Sequence, residues 1–303
     1  MSDFYRLIDE ILPSSEWKKD EPLSAHSTFK IGGNADVFAR PSSEKSLIEL
    51  VRAARAEKYP FVVCGGGSNI LFSDLGFRGM VITTSGLKNI EIDECNVRAC
   101  CGVSMPILSS KLQKEGLDGM RFICGIPGTV GGGVFMNAGA YGGEMSQVLT
   151  SSRYYDCEKD EICELSAEEH DFSYRHSSYM EHPERIILSA DFGLFRGKPQ
   201  EIKAECDELL QKRAEKQPLE FPSAGSVFKR YPGFFTAQLV DECSLKGCSV
   251  GGAQVSLKHA GFIVNTGDAT ASDVLRLIEH IKLTVKEKRG IDIECEIRFI
   301  GEK

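Results

Sequence analysis

Residues 61–72 read FVVCGGGSNILF, in which three consecutive glycines and a Ser-Asn pair separate two apolar runs. A second glycine-rich run, CGIPGTVGGGVFMNAGAYGG, follows at residues 124–143. Backbone N–H groups in such turns form concave nests that bind anions, and glycine lets a diphosphate approach without a Cβ in the way. One triple glycine is equally consistent with a flexible turn, but two such runs beside strand-like residues favour a bound ligand.

The two common nucleotide-binding fingerprints are missing from the sequence. It contains no G-x-G-x-x-G motif of the dinucleotide-binding fold and no G-x-x-x-x-G-K-[ST] motif of the P-loop. A cofactor that contains a diphosphate, held by a different fold, is what the glycine runs then indicate.

The composition is that of a soluble globular protein with room for two or three domains. The chain has 303 residues, of which 42% are hydrophobic and 26% charged, and its formal net charge is −8. This acidic balance argues against nucleic acid and anionic membranes as partners, because both attract basic surfaces. We find neither a signal peptide nor an apolar run of the ~18 residues that a membrane span needs.

The eleven cysteines are scattered and show no C-x-x-C spacing. A metal site or a disulfide framework would cluster them at regular intervals, so we predict reduced thiols, no metal and a cytoplasmic location.

Hydrophobic periodicity predicts an α+β chain. A helical pattern over 42–59 precedes a buried strand at 61–64, and short strands follow between about 80 and 195. Beyond a plausible boundary at 193–199, helices are predicted at 201–216 and 272–288. Alternating apolar and polar residues over 291–299 predict a half-buried closing strand.

The sequence resembles one protein family along most of its length. The motifs are TFKIGG at 28–33, GGGSNILF at 65–72, GIPGTVGGGVFMNAGAYGGE at 125–144, SYRHS at 173–177, PSAGSVFKR at 222–230, GGAQVS at 251–256, FIVNTGDAT at 262–270 and ECEIRFIG at 294–301. They resemble, in the same order, those of the UDP-N-acetylenolpyruvoylglucosamine reductases, which make the muramic-acid precursor of bacterial peptidoglycan.

The resemblance implies a fold and a cofactor. It implies a vanillyl-alcohol-oxidase/PCMH-like FAD-binding domain at 1–197, made of two α+β subdomains (1–85 and 86–197), and an α+β substrate-binding domain at 198–303. The residues that it implies for FAD binding are Gly65, Gly66, Gly67, Ser68, Asn69, Gly125, Ile126, Pro127, Gly128, Thr129, Gly132, Gly133, Asn137 and Gly139. We expect noncovalent FAD, because these loops contain no histidine and Cys64 and Cys124 border them on the apolar side.

The resemblance also implies a reaction, the NADPH-dependent reduction of the enolpyruvyl group of a UDP-sugar. Three residues match the catalytic set of the family: Arg175 for the carboxylate or enolate, Ser226 as proton donor, and Glu296 beside the developing charge. Glu294 lies on the same face of the predicted strand, and only the family pattern selects Glu296. We expect Lys216 and Lys229 to bind the substrate.

Two alternatives and one subtype follow from the same residues. Ser226-x-x-Lys229 also matches the nucleophile motif of penicillin-binding proteins, but the S-D-N and K-T-G motifs that accompany it in those proteins are each broken at one position here.

The alternative enzyme is another flavin oxidase of the superfamily, acting on an alcohol or sugar. The short interval from Lys229 to Asn265 indicates the family type without the inserted tyrosine loop, in which Tyr231, Phe234 and Phe235 are candidates to cover the substrate.

Overall fold

The computed structural model describes residues 2–231 and 233–302. The helices and strands in chain order are α1 (Ser2–Ile11), β1 (Trp17–Pro22), β2 (Asn34–Ala39), α2 (Glu44–Ala56), β3 (Phe61–Cys64), β4 (Ile70–Phe72), β5 (Phe77–Thr83), β6 (Ile90–Asp93), β7 (Asn96–Cys100), α3 (Met105–Glu115), β8 (Leu117–Asp118), α4 (Val130–Phe135), β9 (Gly139–Ala140), β10 (Gly143–Glu144), β11 (Leu149–Asp156), β12 (Glu161–Ser166), β13 (Arg185–Gly193), β14 (Phe195–Arg196), α5 (Pro199–Lys216), α6 (Thr236–Glu242), β15 (Ser249–Val250), β16 (Ala253–Val255), β17 (Ile263–Asn265), α7 (Ala271–Arg289) and β18 (Arg298–Ile300).

The chain divides into two compact units, each built from several segments. The first unit comprises the residues up to Lys19, Val37–Gly66 and Gly79–Lys212, and the second comprises Asp20–Asp36, Gly67–Arg78 and the residues from Arg213 onward. Each unit has its own hydrophobic core. The chain passes from one unit to the other inside β1, β2, β5 and α5, and once in the first glycine run.

Most of the first unit is built around two sheets. A four-stranded sheet has the order β1-β2-β5-β3, with β3 and β5 parallel, and a five-stranded antiparallel sheet has the order β12-β11-β13-β7-β6. Helix α2 buries its apolar stripe, including Leu47, Leu50 and Val51, in the core, and Ser43 and Ser46 form its capping box. The first glycine run follows β3, and the second contains α4.

The second unit contains small sheets and one long helix. Strands β15, β16 and β17 form an antiparallel sheet, and β18 pairs in parallel with β4. Helix α7 begins at a Thr270–Asp273 capping box, and its buried face includes Val274, Leu277 and Ile281. The α+β class predicted from the sequence is confirmed.

The predicted helices at 42–59, 201–216 and 272–288 are confirmed as α2, α5 and α7, with ends shifted by a few residues. The closing strand is shorter than predicted, because only Arg298–Ile300 forms a strand. The reason is a change of neighbour. Phe228 bridges to Cys295, whereas Arg298 pairs with Ile70, so no single ladder runs through 291–299.

Domain boundaries drawn along the sequence differ from the units of the fold. We predicted a contiguous division at 197/198, whereas the last passage between the units lies at 212/213, inside α5. The second unit also recruits Asp20–Asp36 and Gly67–Arg78, which are far upstream in sequence. The periodicity of a segment does not show which unit it packs into, because that depends on contacts with residues far away in sequence.

Candidate active site: glycine loops and three motif residues

The two glycine runs touch each other in the first unit. A Cβ added to Gly65 would lie 2.4 Å from Thr129 Oγ1, and one added to Gly66 would lie 3.3 Å from Gly128 Cα. Thr129 is itself fixed, because it is buried and its hydroxyl accepts a hydrogen bond from Gly132 N at 3.4 Å. Part of the glycine requirement therefore comes from the packing of one loop on the other.

The remaining glycines leave a bare backbone surface that fits a diphosphate. Gly66 and Gly132 are exposed, and a Cβ added to Gly132 would meet only Thr129 Oγ1, at 3.6 Å. A backbone without side chains lets a diphosphate approach closely, although the Gly132 N–H itself already donates to Thr129 Oγ1. The residues of this surface thus fit FAD, and Gly132 is free of any packing reason to be glycine.

The contrast between Gly132 and its neighbour gives a prediction. Gly132→Ala should leave the fold intact, since its methyl group has room and alanine favours helix by about 1 kcal/mol. It should nevertheless weaken FAD binding at least tenfold. Titration of FAD into the apoprotein, followed by flavin fluorescence, measures this. The control is Gly131→Ala, whose methyl group would lie in a buried position 2.7 Å from Cys101 Cβ and should lower the melting temperature instead. Unchanged FAD affinity in Gly132→Ala would contradict the placement of the diphosphate.

The thiols next to the loops have different surroundings. Burial raises the pKa of Cys64 to about 12, so this thiol stays protonated at neutral pH. Cys124 Sγ donates to the Cys206 carbonyl at 3.7 Å, and hydrogen bonds from Cys124 and Ser109 hold the pKa of Cys206 down at about 7. The Cys124 thiol thus contacts α5 through the Cys206 carbonyl.

Arg175 lies in the first unit on a tight turn. Ser173 and His176 bridge each other, which leaves Tyr174 and Arg175 at the tip, and Arg175 has φ +56°. Few residues with a side chain adopt this left-handed conformation, and such strain is concentrated at functional sites. Arg175 Nη2 donates to the Gly139 carbonyl at 3.2 Å, so the guanidinium lies against the end of the second glycine run.

Ser226 and Glu296 lie in the second unit, on segments that pair with each other. The Glu296 N–H donates to the Val227 carbonyl at 2.7 Å, so the residue after Ser226 is held directly beside Glu296. Two residues further on, Lys229 Nζ donates to Glu294 Oε2 at 3.0 Å. The structure therefore gives the two closing-segment carboxylates different neighbours, with Glu294 paired to Lys229.

Asn69, at the end of the first glycine run, also contacts this segment. Its Nδ2 donates to the Glu296 carbonyl at 3.1 Å, and its own carbonyl accepts from Arg298 N at 3.0 Å. Both bonds lie within the second unit and fix the backbone on either side of Ile297. Sequence reasoning missed this role, because no local signal pairs a residue at 69 with one at 296.

The other predicted site residues have less specific surroundings. Gly67 adopts φ +65°, and a Cβ there would lie 2.2 Å from the His26 carbonyl oxygen, so a tight turn requires it. Lys216 is exposed at the end of α5. The remaining predicted loop residues are exposed or half-buried and lie on the glycine runs: Ser68, Gly125, Ile126 and Pro127. No group of three or more metal-ligating side chains occurs within residues 2–231 and 233–302.

Comparisons with known proteins show which family the chain resembles along its length. Residues 35–166 match the family model "FAD binding domain", and residues 217–300 match "UDP-N-acetylenolpyruvoylglucosamine reductase, C-terminal domain". The UDP-N-acetylenolpyruvoylglucosamine reductase of Caldanaerobacter subterraneus subsp. tengcongensis is 47% identical over 98% of this chain and 97% of its own. That of Clostridioides difficile is 43% identical over 99% and 98%.

The chain belongs to the UDP-N-acetylenolpyruvoylglucosamine reductase family. The crystal structure of the Thermus caldophilus reductase matches it with a TM-score of 0.78 and 32% identity, over 94% of this chain and 98% of that one. A weaker likeness to an alkyldihydroxyacetonephosphate synthase (TM-score 0.50, 18% identity, 65% of this chain and 44% of the other) shows the fold alone. The predicted family and superfamily fold are confirmed, and the chain is a flavin-dependent oxidoreductase. Among the described residues no helix has the length and apolar character of a membrane span.

Proposed function

We propose that the chain reduces the enolpyruvyl group of UDP-N-acetylglucosamine-enolpyruvate to form UDP-N-acetylmuramate, using NADPH and noncovalent FAD. The observation that supports this most strongly is near full-length similarity, at 47% identity, to a protein named for that reaction. In the proposal, residues 1–197 bind FAD and residues 198–303 bind the substrate. The residues that would hold FAD are those of the two glycine runs, with the diphosphate against Gly66 and Gly132.

Bound FAD would supply hydride transfer, from NADPH to the methylene carbon of the enolpyruvyl group. The chain must then manage the charge that appears on the adjacent carbon and its carboxylate. Arg175 presents a planar, permanently charged fork that suits a carboxylate. Its anchoring to the Gly139 carbonyl restricts where that fork can point.

The proton for the second carbon comes, in this proposal, from Ser226. Its hydroxyl is a weak acid, and it serves here because a carbanionic carbon is a strong base. Glu296 in its protonated form would donate a hydrogen bond to the developing enolate, since an ionised carboxylate would repel that charge. The product has then gained one hydride and one proton.

Lys216 and Lys229 are proposed to bind the UDP diphosphate. Lys229 is paired with Glu294 in the structure, with side chains that are 39% and 64% exposed. Exposed pairs of this kind are worth only about 0–1 kcal/mol, so a diphosphate can displace the carboxylate. Tyr231 stacks on Phe234 and its hydroxyl accepts from Glu294 N, which leaves the exposed Phe235 as the available aromatic in this segment.

The proposed setting is the cytoplasm of a bacterium that builds peptidoglycan, where the product supports wall growth, cell shape and division. Free thiols at all eleven cysteines are consistent with a reducing compartment.

A direct test compares the reductase with a superfamily oxidase. The purified protein should be yellow, release FAD on denaturation, and consume NADPH anaerobically only when UDP-N-acetylglucosamine-enolpyruvate is present. An oxidase would instead be reduced by an alcohol or sugar and would consume oxygen. Substrate-independent oxygen uptake, with no NADPH consumption under nitrogen, would count against the proposal. Flavin that stays with the precipitated chain would refute noncovalent binding.

A further inference from the structure

Three side-chain hydrogen bonds join the second glycine run to the turn that carries Arg175. Asn137 Nδ2 donates to the Ser173 carbonyl at 3.0 Å, and Arg175 Nη2 donates to the Gly139 carbonyl at 3.2 Å. Ser177 Oγ donates to the Phe135 carbonyl at 2.8 Å. Alternate residues of the turn segment thus contact alternate residues at 135–139, all within the first unit.

Asn137 is the centre of this contact. It is fully buried, and its Oδ1 accepts from Ser146 N at 3.0 Å while its Nδ2 holds Ser173. Burying a side-chain amide costs little free energy when protein groups accept from its N–H and donate to its oxygen. Removing one partner leaves a buried polar group unsatisfied, which is destabilising. The side chain that the resemblance implies for FAD binding therefore makes its visible contacts inside the protein.

The turn needs this external support. Arg175 has φ +56°, which is unfavourable for a residue with a Cβ. The turn closes through the Ser173–His176 pair, and the His176 ring also bonds the Asp171 carbonyl at 3.2 Å. Ser177 is fully buried with its hydroxyl on the Phe135 carbonyl. A strained backbone conformation persists where several surrounding contacts hold it in place. For the Arg175 turn, such contacts are the hydrogen bonds with residues 135–139 of the glycine run.

We propose that Asn137 and Ser177 are positioning residues, which transmit the order of the flavin-bound glycine run to the Arg175 turn. The inference rests on the proposed function, since it takes FAD to lie on that run and Arg175 to act on the substrate. It implies that FAD binding increases the order of the Arg175 turn, whereas flavin reduction by NADPH does not depend on that turn. Ser177 would touch neither substrate nor flavin.

Hydrogen–deuterium exchange of the FAD-free and FAD-loaded protein tests the coupling without measuring activity. Binding of FAD should slow exchange in peptides that cover residues 171–178 in the wild type. Ser177→Ala, which removes the hydroxyl that donates to the Phe135 carbonyl, should lose that protection while still binding FAD. The matched control is Ser178→Ala, because Ser178 Oγ donates to the Glu169 carbonyl at 3.0 Å, which lies outside the glycine run. It should keep the protection.

Stopped-flow measurements supply the second readout. Ser177→Ala should slow reoxidation of the reduced flavin by the enolpyruvyl substrate about 10²-fold, the effect of a small misplacement, and leave reduction by NADPH unchanged. Arg175→Gly separates the proposed role of Arg175 from the positioning inference. If that variant reoxidises normally, the proposed role of Arg175 is wrong. If it is inactive while Ser177→Ala keeps normal rates and protection, the positioning inference alone is overturned.

Discussion

Ser226→Ala should slow reoxidation of the reduced flavin by UDP-N-acetylglucosamine-enolpyruvate by roughly 10²–10⁴-fold, the usual contribution of a general acid. Reduction of the flavin by NADPH should keep its rate, because hydride arrival at the flavin needs no proton from a serine. Ser226 lies in the second unit, on the segment that pairs with the residues around Glu296. Stopped-flow absorbance at the flavin band measures both half-reactions.

Ser223→Ala is the matched control for this variant. Ser223 lies three residues upstream, and the contact that it makes through its carbonyl, which accepts from Thr28 Oγ1 at 2.7 Å, survives the substitution. It should therefore show wild-type rates in both halves. Equal slowing of both half-reactions in Ser226→Ala would mean that Ser226 supports the structure or contacts both ligands.

Glu296→Ala should slow the same reoxidation step by roughly 10²–10³-fold, as expected for loss of a group that stabilises developing charge. Glu296→Gln should retain part of the rate, because an amide still donates a hydrogen bond. The register of the segment is fixed by the Glu296 N–H to Val227 carbonyl bond of 2.7 Å and by the contact from Asn69. The rate of substrate-dependent reoxidation is the quantity to compare.

Glu294→Ala is the control for the neighbouring carboxylate. Two residues along an extended segment stand about 6.5–7 Å apart, so only one carboxyl group can reach a given substrate atom. Glu294 is exposed and pairs with Lys229, so its loss should cost about 0–1 kcal/mol of stability and leave the chemistry intact. An inactive Glu294→Ala beside an active Glu296→Ala would show that the motif is assigned two residues out of place.

Local sequence patterns predicted the regular elements well. The stripe of Leu47, Leu50 and Val51 and the serines before it determine α2, and α7 follows from the same kind of pattern. The closing segment was predicted as one strand because its side chains alternate. The observed strand is shorter than predicted. Alternation shows which side chains are buried, but it does not show which neighbouring segment supplies the backbone hydrogen bonds.

The candidate site was only partly accessible from the sequence. The glycine runs signalled a ligand by themselves, whereas the roles of Arg175, Ser226 and Glu296 came from the resemblance. Neither source indicated that Asn69 bonds the Glu296 backbone or that Asn137 bonds the Arg175 turn. These contacts join residues far apart in sequence, so their partners become visible only in the folded chain.

A single-turnover experiment under nitrogen tests the central claim most directly. The FAD-loaded protein is reduced with one equivalent of NADPH and then mixed with UDP-N-acetylglucosamine-enolpyruvate. We predict that the absorbance of oxidised flavin returns in one phase and that the product carries two more hydrogen atoms than the substrate, as UDP-N-acetylmuramate does. A flavin that stays reduced until oxygen is admitted, with the enolpyruvyl compound recovered unchanged, would contradict the account.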